Sequence, residues 1–245
     1  MKRIAIIPAR GGSKRIHKKN IKSFCGKPII SYILNTAKES NIFTRIHVST
    51  DSKEIAKTVS SLGFAPEFLR PNYLSDDNTP IMPVLKYVCN EYMNRGEKYD
   101  QVWLLMPTSP FIDVNDIIKA EKKFSKSNSD KSLLGVSEYP APIEWAFNID
   151  KSGTLIPLYS GMFATRSQDI KESYYDSGAF CIFPYRTVIN SVEAGNDSEF
   201  IGYTLPKYKS MDIDFIDDWE MAEAVYYVIN YKNKLNKALW EHKTK

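Results

Sequence analysis

The sequence predicts an α/β fold, a doubly wound, mostly parallel sheet forming a single domain over residues 1–245 with a small extruded arm. Three observations carry this. Short apolar runs alternate with segments of helical spacing, as strand–helix–strand units do. A chain of 245 residues can bury one full α/β core and is short for two independent ones. The alternation breaks once, between Tyr139 and Asp176, amid Pro140, Pro142, Gly153, Pro157 and Gly161; this is the arm, about residues 139–176.

In chain order, Arg3 to Pro8 reads as a buried strand, and Pro28 to Glu39 as a helix with Ile29, Ile33 and Ala37 on one face. Arg45 to Thr50 is the second strand. Asp51 to Leu62 is a helix opened by an Asp51/Glu54 capping box and stopped by Gly63. Ala65 to Leu69 reads as a strand, Pro80 to Asn94 as a helix, Gln101 to Met106 as a buried strand and Val114 to Ser125 as a helix. Leu133 to Glu138 continues the pattern before the arm, Ala179 to Phe183 resumes it, and Phe215 to Lys232 is a closing helix.

A composition of 43% hydrophobic and 25% charged residues is that of a folded globular chain and excludes global disorder. The apolar runs are too short to cross a bilayer and no signal-peptide pattern precedes the first strand, so a cytoplasmic protein without membrane contact is expected. Cys25, Cys89 and Cys181 are three and widely spaced, which argues against disulfides or a zinc site and for reduced, buried, inert thiols. The lysine-rich tail after Tyr231, interleaved with Leu235, Leu239 and Trp240, reads as a solvated, partly helical end and not as a nucleic-acid arm.

The formal net charge of +4 is unevenly placed, because Arg10, Lys14, Arg15, Lys18 and Lys19 share one segment directly after the first strand. Open α/β sheets bind ligands outside the carboxyl ends of their strands, so this loop stands where a site is expected. Gly11 and Gly12 permit close backbone approach with N–H groups turned inward, and Arg10, Lys14 and Lys19 match the charge of a triphosphate. The segment is neither a Walker loop nor a Gly-x-Gly-x-x-Gly fingerprint, so ATPase and dehydrogenase readings fall. Asp212 and Asp214, two apart in an extended segment, face one side and can meet one divalent ion; a helix cap by Asp214 is the competing reading. The three histidines, His17, His47 and His242, form no hydrolase or metal pattern, and His47 in a strand reads as structural.

Pro8-Ala9-Arg10-Gly11-Gly12-Ser13-Lys14 with Lys19-Asn20 resembles the signature loop of the CMP-sugar synthetases, the acylneuraminate cytidylyltransferase family. The resemblance continues through Ser49-Thr50-Asp51, Arg70-Pro71 with Leu74 and Asp77, Pro107-Thr108-Ser109-Pro110, Arg166-Ser167-Gln168-Asp169 and Asp212-Ile213-Asp214. It implies a Rossmann-like nucleotidyltransferase fold and transfer of CMP from CTP to the anomeric hydroxyl of an acidic nine-carbon sugar. The pattern from Arg166 to Tyr175-Asp176, with Ser137-Glu138-Tyr139-Pro140, looks closest to the pseudaminic acid enzymes of that family; legionaminic acid, N-acetylneuraminic acid and Kdo are the alternatives.

The resemblance also assigns roles. Arg10, Ser13, Lys14 and Lys19 would hold phosphates, with Arg10, Lys14 and Lys19 stabilising the departing pyrophosphate, and Asn20 would lie near the ribose or α-phosphate. Backbone around Ala9 and Arg10, the Arg70 side chain, and Pro107 and Thr108 would read cytosine, while Arg166, Gln168 and Tyr175 would meet the sugar. Asp212 and Asp214 would hold Mg²⁺, and the arm would be exchanged in a homodimer. Met106 departs from the family, in which sialic acid enzymes carry Gln before Pro-Thr-Ser-Pro. Two further rivals are a nucleotidyltransferase for sugar 1-phosphates and a CTP sensor without turnover; a sensor needs neither the carboxylate pair nor the arm.

Overall fold

The computed structural model describes residues 1–127, 130–192 and 199–243, the segment 233–243 by its backbone alone. In chain order the regular elements are β1 (Arg3–Pro8), β2 (Ser23–Phe24), β3 (Lys27–Pro28), α1 (Ile30–Ser40), β4 (Arg45–Ser49), α2 (Lys53–Ser61), α3 (Ile81–Asn94) and β5 (Gln101–Leu105). They continue as α4 (Val114–Lys126), β6 (Leu133–Glu138), β7 (Phe147–Ile149), β8 (Leu155–Pro157), β9 (Tyr174–Pro184), α5 (Tyr185–Ile189), β10 (Ile201–Thr204) and α6 (Ile216–Lys243). The side chains of Leu235, Leu239, Trp240 and His242, on which the reading of the tail turned, lie outside the described residues.

The main sheet has the order β10-β6-β9-β5-β1-β4. Its strands run parallel except β9, which is antiparallel to both of its neighbours. Period-2 side-chain alternation divides the core between two faces. Ala5 and Ile7 of β1 and Trp103 and Leu105 of β5 pack with α1, α2 and α4; Ile4, Ile6, Val102 and Leu104 pack with α3 and α5. A third cluster, with Ile16, Phe24, Ile29, Phe111, Ile213, Trp219 and Ala222, joins the basic loop to α6 and to the Asp212–Asp214 segment. The loop and the acidic segment thus share one piece of core.

Several expectations are corrected. Ala65 to Leu69 forms no strand: Pro66 has no N–H for a ladder, and the segment lies over β4, where Phe68 stacks on His47 at 4.5 Å between centroids. The capping box at Asp51/Glu54 does not form. Ser52 is the N-cap of α2, accepting from Ile55 N at 3.4 Å, because Asp51 is drawn instead to the loop after β1. Pro28 belongs to a small hairpin whose turn, Cys25 at φ 46° and Gly26 at φ 90°, delays α1 to Ile30. Cys89 and Cys181 are buried as expected, but Cys25, in that turn, is only half-buried. Between β6 and β9 the chain holds a separate two-stranded hairpin of β7 and β8, and Tyr174 to Asp176, expected within the arm, pair with β6 as the start of β9.

Candidate active site

Ala9 continues the line of β1, its N–H donating to Ser49 O at 2.8 Å. The chain then turns across the carboxyl ends of β1 and β4. Gly11 N donates to Asp51 Oδ1 at 2.9 Å, and a Cβ on Gly11 would stand 3.0 Å from the Ser52 Cβ, so this close approach of two loops requires glycine. The inward N–H expected of Gly11 is therefore directed at the protein's own carboxylate. Gly12 is exposed, with open space where a side chain would be. Lys18 adopts a left-handed conformation at φ 51°, a cost of about 1 kcal/mol, and the turn that follows presents Lys19 to the cleft.

A cleft of about 300 Å³ lies here, lined by Arg10, Ser13, Lys14, Lys19 and Asn20 from the loop, Arg70 from the non-strand segment beside the end of β4, Pro107 and Thr108 from just after β5, and Asp214 from before α6. The cations of the loop are already paired. Arg10 donates to Asp76 O and pairs with Asp77 Oδ1, each at 2.8 Å, and Lys14 pairs with the other Asp77 oxygen. Lys19 Nζ donates to Ile213 O at 2.8 Å and to Asp214 Oδ1 at 3.0 Å, while Arg15 holds Asp214 Oδ2 at 2.6 Å. The two Asp77 pairs, with side chains 34–77% exposed, contribute about 0–1 kcal/mol each, so an anionic ligand can exchange with them at little cost to the fold.

Arg70 is the buried cation of the site, at 6% exposure. Its guanidinium donates to Ser49 Oγ at 3.1 Å and Ser49 O at 2.6 Å, and its backbone N–H to Thr50 O at 2.7 Å. Burial, offset in part by Asp51 and assisted by Arg10, pushes its pKa down to about 10. Asn20, also buried, donates to Arg10 O at 3.1 Å. Of the backbone groups expected to read a base, the Ala9 N–H and the Arg10 carbonyl are thus engaged within the chain.

Asp212 does not line the cleft but stands beside Asp214, which does. Partial burial, then the Asp214 charge, raise its carboxyl above the usual range, against the lowering fields of Lys19 and Arg15. Burial would raise Asp214 too, but the Lys19 hydrogen bond and the charges of Lys19 and Arg15 bring it below that range. The competing reading of Asp214 as a helix cap gives way to Asp218, whose Oδ2 accepts from Asp214 N at 3.0 Å and Phe215 N at 2.7 Å. Among the described residues no cluster of three or more metal-type side chains occurs. Two carboxylates suit an ion that keeps waters and substrate oxygens as its other ligands, as Mg²⁺ does.

The three arm residues are not brought to this cleft in one chain. Arg166 and Gln168 are exposed, and Tyr175 packs edge-on against Tyr139 at 5.1 Å. A second cavity of about 890 Å³, mostly apolar, is lined by Leu104, Leu134, Phe180 and Phe183 among others, and meets the first at Ile81 and Met106. The sequence pattern marks Asp51 only as a helix cap, gives no role to Asp76 or Arg15, and includes Asp77 without a role. An acid two positions beyond Ser49 and a pair of acids before Thr79 were the available signals. His47 is structural as expected: it contacts Tyr92 Oη at 3.0 Å, and burial with nearby arginines pushes it down to about 3.

The profile of the cytidylyltransferase family matches residues 4–190, more than half of the chain. The chain belongs to the cytidylyltransferase family. Among curated relatives of this cytidylyltransferase, a pseudaminic acid cytidylyltransferase of Campylobacter jejuni is 34% identical, covering 93% of this chain and 97% of that one. A CMP-N,N′-diacetyllegionaminic acid synthase of Legionella pneumophila is 30% identical over 92% of this chain and 96% of that protein. Among solved structures, a CMP:2-keto-3-deoxy-manno-octonic acid synthetase complexed with CTP superposes with a TM-score of 0.67, covering 93% of this chain and 99% of that one at 16% identity. That likeness bears on the fold, and the sheet of this cytidylyltransferase is the mixed, mostly parallel one the sequence predicts.

Proposed function

We propose that this cytidylyltransferase moves CMP from CTP to the anomeric hydroxyl of a nonulosonic acid, pseudaminic acid first, releasing pyrophosphate. The observation that carries the reading is the cleft that gathers Arg10, Ser13, Lys14, Lys19, Arg70 and Asp214 at the carboxyl ends of the strands. The sugar choice is supported by the Campylobacter relative, more similar than the legionaminic acid one.

The hydroxyl attacks the α-phosphorus in line, and the chain's main work is positioning and charge. Lys19, tied to Ile213 O and Asp214, is held at one wall of the cleft to meet the reacting phosphoryl group. Arg10 and Lys14 leave Asp77 for the β- and γ-phosphates and neutralise the departing pyrophosphate. Arg70 and the Pro107–Thr108 wall enclose the base. Asp212 and Asp214 would hold Mg²⁺, which supplies charge neutralisation and lowers the pKa of a hydroxyl near it. Asp212 fits that duty as a carboxylate destabilised by burial and a like charge.

Arg166, Gln168 and Tyr175 would serve the site of a second copy, in an arm-exchanged homodimer acting in the cytoplasm, where CTP is made. The support is the exposed apolar surface of the arm: Phe163 is 71% and Ile149 69% exposed. No helix among the described residues is long and apolar enough to cross a membrane.

The test is pyrophosphate release from CTP and Mg²⁺ with pseudaminic, legionaminic and N-acetylneuraminic acids, Kdo, or no sugar. Release with pseudaminic acid above the rest is expected. Preference for another acid keeps the mechanism and changes the substrate, and silence in every tube overturns the reading.

A further inference from the structure

We propose that Lys209 is a positioning residue for this reaction: it fixes the Asp212–Asp214 segment against the loop that carries Pro107 and Thr108. The inference rests on the function proposed above, in which Asp214 of the one segment and Pro107 and Thr108 of the other line one site.

The Lys209 side chain is 7% exposed, and its Nζ lies 2.6 Å from Asp113 Oδ2 and 2.5 Å from Asp116 Oδ2. The two acids are immobilised independently. They form the capping box at the N-terminus of α4, where Asp113 Oδ1 accepts from Asp116 N at 3.1 Å and Asp116 Oδ2 from Asp113 N at 3.0 Å. Lys209 therefore docks on a rigid helix end, not on flexible surface carboxylates. Burial would lower its pKa, but the two aspartate hydrogen bonds raise it, so the ammonium stays charged.

The chain on either side of this anchor belongs to the site. Asp113 follows directly on the loop holding Pro107 and Thr108, and Asp212 comes three residues after Lys209. Beyond Asp212, Ile213 is fully buried in the third cluster and its carbonyl accepts from Lys19. An apolar anchor such as Ile213 sets the depth of a segment but tolerates rotation about it. A charged anchor meeting two fixed carboxylates adds direction. Buried ionic clusters stabilise folds little relative to apolar residues of the same shape, so stability alone gives this one no advantage.

The test separates positioning from folding. Lys209→Met combined with Asp113→Asn and Asp116→Asn removes all three charges while leaving amides that can still cap α4. This variant is expected to unfold within a few degrees of the wild type, while kcat falls about tenfold or more and KM for CTP changes by less than about threefold. Mn²⁺ binding with CTP present, followed by the EPR signal of the free ion, should show a midpoint raised about tenfold. Wild-type kcat and Mn²⁺ midpoint in the folded triple variant would overturn the proposal. Should the triple variant not fold, Asp113→Asn alone decides, since Asp113 is half-exposed: a midpoint raised about two- to threefold supports positioning, and an unchanged midpoint with unchanged kcat overturns it. Asp212→Asn distinguishes the two levels of the reading. If it leaves Mn²⁺ binding unaltered, the carboxylate assignment itself fails; if it weakens binding and the Lys209 variants do not, only the positioning role fails.

Discussion

In the loop between β1 and β2, Arg10, Lys14, Arg15, Lys18 and Lys19 each have a carboxylate partner within the chain. The arm between β6 and β9 keeps only part of its surface covered: Trp145 Nε1 donates to Thr165 O at 3.2 Å and Phe147 packs on Phe163, but Ile149, Leu155 and Phe163 remain largely exposed. The loop is completed by its own fold; the arm is not. Charge partners are short-range and exchangeable, so a phosphate site can be assembled in one chain and await its ligand. An apolar surface has no such substitute and stays in water until a second surface covers it.

The sharpest way to break this contrast is Lys19→Ala. Loss of one preorganised cation at a reacting phosphoryl group should lower kcat about 100-fold or more, with the melting temperature shifted by no more than a few degrees. A stability loss as large as the activity loss would make Lys19 a structural residue and the loop no different from the core. On the arm, if it is exchanged in a homodimer as proposed, Phe163→Asp with Ile149→Asp should give a monomer by light scattering where the wild type is a dimer, and lower turnover about tenfold or more. A dimer that persists would mean that the exposed side chains are not the interface. The smallest effect is the most diagnostic in sign. Asp77→Asn removes the counterion of Arg10 and Lys14 that CTP displaces in the proposed reading, so KM for CTP should fall about two- to threefold; a rise would make Asp77 a ligand-orienting group instead.

Strand and helix alternation was readable because each buried strand is a short apolar run and each helix has one apolar face, and that period survives in β1, β5, α3 and α4. The Ala65 to Leu69 strand was misread because apolar spacing says nothing about hydrogen bonds, and Pro66 cannot supply one. β10 and the β2–β3 hairpin are too short for periodicity to register. In the cleft, the cations were legible as a cluster of like charge next to a strand end. Their partners were not, since Asp51, Asp77 and Asp214 reach the loop from separate parts of the chain; in sequence Asp51 looks like a cap, Asp77 like a turn residue, and Asp214 like a metal ligand and not a partner of Arg15 and Lys19.

The arm leaves the sheet through a closed neck. Val136, Ser137 and Glu138 at the end of β6 face Asp176, Tyr175 and Tyr174 at the start of β9, and Tyr139 N donates to Ser173 O at 3.0 Å just beyond. Below the neck, the register shifts once, where the residues 177–180 stand opposite Gly135, and Met106 N donates to Ala179 O at 2.9 Å. A Cβ on Gly135 would fall 3.0 Å from Ser177 Oγ and 3.2 Å from Phe180 O, so the shift is locked by packing. With the neck pairing fixed, the loop-closure cost rises by only about 0.6 kcal/mol for each doubling of the insertion's length, so its length can change at little cost to the sheet. The arm is in this sense an interchangeable tool on a fixed handle: a lineage could rewrite it without disturbing the strands whose carboxyl ends frame the cleft.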